Sequence, residues 1–436
     1  MSLCLLIFFT ACTDTQPEQT APSSGELPML DVYYLKGHTV SEQILNYFVS
    51  DTVAVNAVSF DDIEAMDLQI ATEIGIGKGP DVILFPNTTS LDTEKMARNG
   101  AFLDMSSILK EDNIDEQYYT AVLSAGNIGG KQLLMPLRFR LLSLITTQEA
   151  LSEMGLSMAD IDTVPEMVDV LTKKAADYPA EEAAILVNYP AGSGSGLLYD
   201  NLRLSGLQVA DLENQALGVS EELFQSIAKY TKTQWQQMKD FQPVWTKYIG
   251  SDLTEVFTRA RIQVRGYSMF QDLRYYHSFY DQALGHTMAF VTYPNYEDAT
   301  GITADVLLYA AVLENTDQEE AARSFIRSAM DTPIRDIGDD LSVSRQWTND
   351  LLDKVSRWDG RKTSIGASKS IKVEKMSQEL RSSCEAVMER ITSASIRNGA
   401  VSAVLTETMD AYITGEASFE ECYAKFENQL GIYLYE

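Results

Sequence analysis

The chain has 436 residues, 45% of them hydrophobic; that is enough apolar surface for a sizeable core but too long for one compact unit, so two lobes are expected. Its 63 acidic against 34 basic residues give a formal net charge of −29, a field of the wrong sign for a phosphate backbone, which excludes nucleic-acid partners. Three histidines without HExxH or facial-triad spacing, and four cysteines without a CxxC, give no basis for a metal enzyme; no metal and no cofactor is expected.

Leu3 to Phe9 is apolar but too short to cross a hydrocarbon core of about 30 Å, and the chain turns polar after Asp14. It reads as a signal peptide over 1–11, followed over 12–29 by a Thr/Gln/Pro/Ser-rich flexible tether. Phe9-Thr10-Ala11-Cys12 resembles the lipobox of bacterial lipoproteins, which implies acylation of Cys12 and anchoring at the extracellular face of the cytoplasmic membrane without a spanning helix. Cys384 and Cys422 remain; pairing in an exported protein and separate burial are both open readings.

Leu30 to Leu35 reads as a strand, Ser41 to Ser50 as a helix and Val53 to Val58 as a second strand. Ser59 and Asp61 offer caps for a helix carrying Ile63, Met66, Ile70 and Ile74, which ends in the breaker Gly75-Ile-Gly-Lys-Gly-Pro80. That glycine-rich segment follows a helix and precedes a strand, the reverse of what a phosphate loop requires. Asp81 to Phe85 is a continuous apolar run, as expected for a strand buried on both sheet faces. A helix near Ser90 to Asn99, strand-like Leu141 to Thr146 and amphipathic helices over Pro165 to Lys174 and Glu221 to Phe241 follow. Further strands are expected at Arg261 to Arg265, Thr287 to Tyr293 and Ala304 to Leu313, then a helix over Asp317 to Met330 and a mostly helical tail over Gln378 to Gly415.

Several segments resemble, in order, the extracellular solute-binding proteins of family 1, the maltose-binding-like group that serves sugar-type ABC importers. Gly77-Lys-Gly-Pro-Asp-Val-Ile-Leu-Phe85 is similar to the family's G-x-x-PDV strand entry, and Gly100-Ala-Phe-Leu-Asp104 to its G-x-L-x-D-L stretch. Gly130-Lys-Gln-Leu-Leu-Met-Pro136 resembles GK-x-Y-x-x-P, without the aromatic after Lys131. Phe257 to Val264 takes the place of F-x-x-G-K-A-A-M, Glu320 to Ile326 that of the A-x-x-F-I helix, and Ile432 to Glu436 that of a YLNE ending. The resemblance implies an α/β, two-lobed periplasmic-binding-protein-like fold of type II. Its discontinuous lobes, joined by hinge crossovers, would be 30–140 with 287–344 and 141–286 with 345–436. It also implies a non-catalytic, monomeric protein that delivers a carbohydrate to ABC permease subunits. A surface sensory or adhesion protein of the same fold is the alternative, and a carbohydrate-active enzyme a more distant one, since adjacent carboxylates such as Asp61/Asp62 or Glu420/Glu421 cannot flank one bond.

In open α/β sheets the crevice lies beyond the carboxyl ends of the strands. That rule selects Asn87, Arg138, Phe139, Arg140, Tyr267, Tyr293 and Asn295 as ligand-binding candidates. Asn87 serves equally well as a turn residue. Arg138 and Arg140 flank Phe139 on one strand face: as ion pairs they are structural, and in the cleft they favour an acidic sugar through bidentate bonds. Trp245 reads as a stacking platform or a core residue. The loop Tyr189-Pro-Ala-Gly-Ser193 allows close backbone approach to a ligand, and Tyr189 and Ser193 join the candidates.

Overall fold

The computed structural model describes residues 27–110, 113–157, 160, 170, 172–179, 183, 186–188, 196–248, 253–265, 269–292, 295–296, 301–335, 340–357, 360–366 and 368–435. The chain begins with the expected strand–helix rhythm: β1 (Met29–Leu35), α1 (Thr39–Tyr47), β2 (Ala54–Phe60), α2 (Ile63–Gly75), β3 (Val82–Pro86) and α3 (Thr93–Arg98). Each helix starts where a side chain satisfies an orphan backbone N–H: the His38 ring accepts from Ser41, Asp62 from Ala65 and Asp92 from Lys95. β1 pairs in parallel with β2 and β3, and all five residues of β3 are buried, as its apolar run requires.

Two short helices, α4 (Ile114–Gln117) and α5 (Thr120–Leu123), and the hairpin of β4 (Asn127–Ile128) and β5 (Lys131–Gln132) lead to β6 (Met135–Arg140). Then come β7 (Ser143–Thr147), α6 (Gln148–Met154), β8 (Val187–Asn188), α7 (Gly196–Leu204), β9 (Ala210–Asp211), β10 (Ala216–Leu217) and the long α8 (Glu221–Tyr248). α9 (Leu253–Arg259), β11 (Ile262–Arg265), α10 (Met269–Phe279), β12 (Met288–Thr292) and the eleven-residue β13 (Ile302–Val312) follow. The remainder is α11 (Glu319–Met330), β14 (Leu341–Ser342), α12 (Arg345–Arg357), β15 (Lys362–Ser364), β16 (Ser370–Lys372), α13 (Gln378–Met388), β17 (Ile391–Ser395), α14 (Gly399–Thr414) and α15 (Phe419–Tyr435). The expected helix over Pro165 to Lys174 lies largely outside the described residues.

The main sheet runs β14-β6-β13-β3-β1-β2, with β17 pairing in parallel to the first residues of β13. A second sheet runs β12-β7-β11-β8. Helices α7, α8, α14 and α15 pack around their own apolar cluster, in which the Phe224 and Phe426 rings stack at 4.8 Å. These pairings correct the expected lobe boundaries. β12, assigned to 287–344, bonds to β7 in the second sheet, while β17, assigned to 345–436, completes the main one. Leu351, Leu352 and Val355 of α12 and Leu380, Cys384 and Val387 of α13 lie in the apolar cluster that covers the main sheet, a cluster that also takes in Ile145 of β7 and Phe270, Leu273 and Phe279 of α10. Cys384 and Cys422 are free buried thiols in different clusters, which excludes the pairing reading.

Among the described elements the chain passes between the main sheet and the other half three times: at Leu141–Leu142 between β6 and β7, between the end of β12 at Thr292 and the start of β13 at Ile302, and at Ile396–Asn398 between β17 and α14. Hinge rotation, where it occurs, is absorbed by a few backbone dihedrals in connections of this kind.

Candidate functional site

The carboxyl ends of β1, β3 and β6 and the beginning of β13 lie at one edge of the main sheet, because β13 runs antiparallel to both β3 and β6. Asn87 sits there, half-buried, its backbone N–H donating to Leu307 O at 2.9 Å. The loop that carries it is braced from α2. The buried carboxylate of Asp67 accepts from Thr89 Oγ1, Ser90 N and Ser90 Oγ, each at 2.7 Å.

The two arginines of β6 have different fates. Arg138 is 2% exposed and donates to Leu137 O, Ser342 Oγ and Thr332 O at 3.0, 3.2 and 2.8 Å. It is a core residue under β14 and the end of α11, so its candidacy as a ligand contact is corrected. Phe139 is corrected with it: its ring is fully buried, edge-on to Tyr119 at 5.7 Å. Arg140, at the strand's end, keeps its side chain 22% exposed and clasps Asp305 through Nε and Nη2, each at 2.9 Å.

Asp305 is sealed at 1% and also accepts from Arg203 Nη1 of α7 at 2.6 Å. Burial opposes ionisation, but the facing guanidiniums of Arg203 and Arg140 outweigh it and hold the Asp305 carboxyl below the usual range. Arg203 continues to Asp200 Oδ1 at 2.8 Å, and Arg397 Nη1 reaches the same oxygen at 3.2 Å. Asn295 is 8% exposed and braces the passage between β12 and β13: it accepts from Thr303 Oγ1 at 2.6 Å and donates to Thr392 Oγ1 at 3.2 Å. This internal pairing replaces the expected ligand contact. Gly206 lies against the brace in a left-handed conformation, φ +80°; a Cβ there would come within 3.2 Å of Asn295 and Thr303.

Beside the passages opens a polar cleft of about 580 Å³. Its walls are Glu94 and Arg98 of α3, the turn Asn127 to Gly130, Tyr199 and Arg203 of α7, the stretch Gly206 to Asp211, and Ser393 to Asn398. Burial pushes the Glu94 carboxyl up, with Asp92 and Asp211 adding to the rise, while Arg98 at 3.1 Å opposes it. Asn398 closes one side: it caps α14 and donates to Asp92 Oδ1 and Tyr433 OH, each at 3.0 Å, while Tyr433 OH donates to Asp92 Oδ2 at 2.6 Å. This triad fastens α3 to the helical half.

Of the sequence candidates, the structure brings Asn87 and Arg140 to the sheet edge and Asn295 to the passage beside it. Tyr189, Ser193, Tyr267, Tyr293 and Cys12 lie outside the described residues, as does the side chain of Trp245 on α8. Sequence reasoning missed Asp305, Arg203, Asp200 and Arg397. Only an acidic residue early in the apolar strand Ile302–Val312 hinted at them.

Two α/β halves joined by three short passages, with a polar crevice between, define the type II fold of extracellular solute-binding proteins. A family 1 extracellular solute-binding protein from Alicyclobacillus acidocaldarius is 12% identical, covering 95% of this chain and 100% of that one at a TM-score of 0.55. The sugar-binding protein MalE from Xanthomonas citri is 12% identical, with 93% and 97% covered and a TM-score of 0.61. An ABC transporter-associated binding protein from B. animalis subsp. lactis, in complex with β-1,6-galactobiose, is 16% identical, with 94% and 98% covered and a TM-score of 0.53. No protein-family model and no curated protein matches the sequence. At these identities the likeness establishes the fold, and the resemblance read from the sequence is borne out at that level.

Proposed function

We propose that the protein is the extracellular binding component of an ABC importer, capturing a carbohydrate between its halves and handing it to the permease without altering it. The observation that carries this reading is the near-complete overlap with sugar-binding receptors, combined with a crevice whose guanidiniums are matched by carboxylates: Arg203 by Asp305 and Asp200, Arg397 by Asp200, Arg98 by Glu94. Matched charges of this kind suit an uncharged, hydroxyl-rich guest, because a second anion must compete with a carboxylate already in place. The acidic sugar suggested by two neighbouring arginines is therefore the weaker ligand.

Three of the four adjacent carboxylates have structural partners. Asp62 caps α2, Asp61 pairs with Lys36 at 2.7 Å, and Glu421 pairs with Lys425 at 2.9 Å. We assign Cys12 to lipid anchoring on the outer face of the membrane, with the tether holding the folded body away from the bilayer.

A thermal-shift screen over neutral and acidic saccharides tests the assignment, since a ligand that binds only the folded state raises the midpoint. A rise with a neutral oligosaccharide, and chromatographic recovery of that saccharide intact, is expected; cleaved product, or no shift with any saccharide, refutes it. Replacing Cys12 with Ser should abolish incorporation of labelled palmitate.

A further inference from the structure

All three passages between the halves converge on one chain of charges. Arg140 is the last residue of β6, directly before Leu141; Asp305 lies three residues after the start of β13; and Arg397 lies inside the third passage. Asp200 and Arg203 belong to α7, in the helical half. The links differ in depth. Asp305 and Arg203 have side chains 1% and 3% exposed, whereas Asp200 and Arg397 are 33% and 28% exposed.

The difference decides which links survive movement. A sealed carboxylate clasped by two guanidiniums cannot release either one without stranding a buried charge, so the inner contacts persist through any rotation. The outer Arg397–Asp200 bond, at 3.2 Å between partly exposed side chains, contributes little, and Arg397 keeps a second bond to Ser402 Oγ at 2.7 Å. Hinge motion then has a fixed point at Asp305.

We propose that Asp305 is a positioning residue for ligand capture: it pins Arg140 and Arg203, and through them the two halves, at one pivot beside all three passages. The Arg397–Asp200 contact lies on the helical side of that pivot, where Arg397 also donates to Ser402 Oγ of α14 at 2.7 Å. This rests on the reading of the protein as a two-part receptor. The pivot acts by keeping the binding-competent orientation populated, so its loss lowers the apparent affinity in proportion to the competent fraction.

The test is amide hydrogen exchange on the full chain without ligand, followed by saccharide binding kinetics. Asp305→Asn should speed exchange over 288–292, 301–305 and 391–398 by about tenfold while β1 to β3 stay protected, and should slow saccharide association by about tenfold. Asp200→Asn should leave the exchange at those passages within about twofold of the unmodified protein. Should Asp305→Asn not fold, the double replacement Asp305→Leu with Arg203→Met removes the crossing pair without leaving Arg203 stranded, and should show the same local loosening. Unchanged exchange at the passages, or an even loss of protection across β1 to β3, overturns the pivot. Because exchange is read without ligand, failure there leaves the carbohydrate assignment standing, and failure of every saccharide to bind leaves the exchange result interpretable.

Discussion

Replacing Asp67 by Ala tests whether the loop after β3 is held in place from α2. The carboxylate, 5% exposed, is the acceptor for Thr89 Oγ1, Ser90 N and Ser90 Oγ, each at 2.7 Å. Hydrogen bonds to a charged group contribute about 1.5–3 kcal/mol each. The Thr89 hydroxyl is 2% exposed and would be stranded, and the Ser90 N–H would be partly so, while the Ser90 hydroxyl turns to solvent. Two stranded donors at about 2 kcal/mol each, less about 1 kcal/mol recovered by no longer burying the carboxylate, leave a loss of about 3 kcal/mol. With about 2.1 cal/mol/K of unfolding entropy per residue over roughly 400 residues, that is a midpoint lowered by about 4 °C. Differential scanning calorimetry measures it. The same loop presents Asn87 and packs against α14, where a Cβ on Gly399 would sit 2.7 Å from Ser90 Cα, so saccharide affinity should fall with it. A midpoint within about 1 °C of the unmodified protein, with unchanged affinity, refutes the brace.

Arg138→Met should lower stability by about 2–3 kcal/mol in urea unfolding, because the Thr332 and Leu137 carbonyls lose a buried donor, and should leave the preference between neutral and acidic saccharides unaltered. A changed preference at unchanged stability would return Arg138 to the crevice. Glu94→Gln should raise the unfolding midpoint at pH 8. The folded carboxyl holds its proton more tightly than the unfolded one, so its charged form costs stability above the folded pKa. That cost fades as pH falls through the folded pKa and is gone below the unfolded one, at about 4.3. The difference between variant and parent should therefore close by about pH 4. A lower midpoint at pH 8 would mean that the Arg98 pairing outweighs burial.

The early strands and helices were legible because β1, β3 and β13 are apolar runs of strand length, and because Ile63, Met66 and Ile70 repeat at helical spacing with a cap before them. β17 was not: Ile391-Thr-Ser-Ala-Ser395 has one large apolar residue and no alternation, and it is a strand only because β13 offers an edge. The same lack of a local signal placed β12 in the wrong lobe, since pairing with β7 rather than β13 is a tertiary choice. The rule about strand ends placed Asn87 and Arg140 at the edge of the main sheet but took the buried Arg138 with them, because alternation gives the face of a strand and not the depth of a residue along it. The Asp305–Arg203 contact joins residues 102 positions apart, which no spacing rule reaches.

β13 borrows its neighbours from three remote stretches of chain: β3 and β6 far upstream, and β17 close to the other terminus. A polypeptide threaded N-terminus first can therefore make β1, β2 and β3 early, yet it cannot finish the sheet around β13 until Ser395 has emerged. Pairings this distant are slow to find, and the half-built edge of β3 stays open meanwhile. Connectivity itself thus postpones completion of the sheet, and the chain stays extended for longer than local pairings alone would keep it.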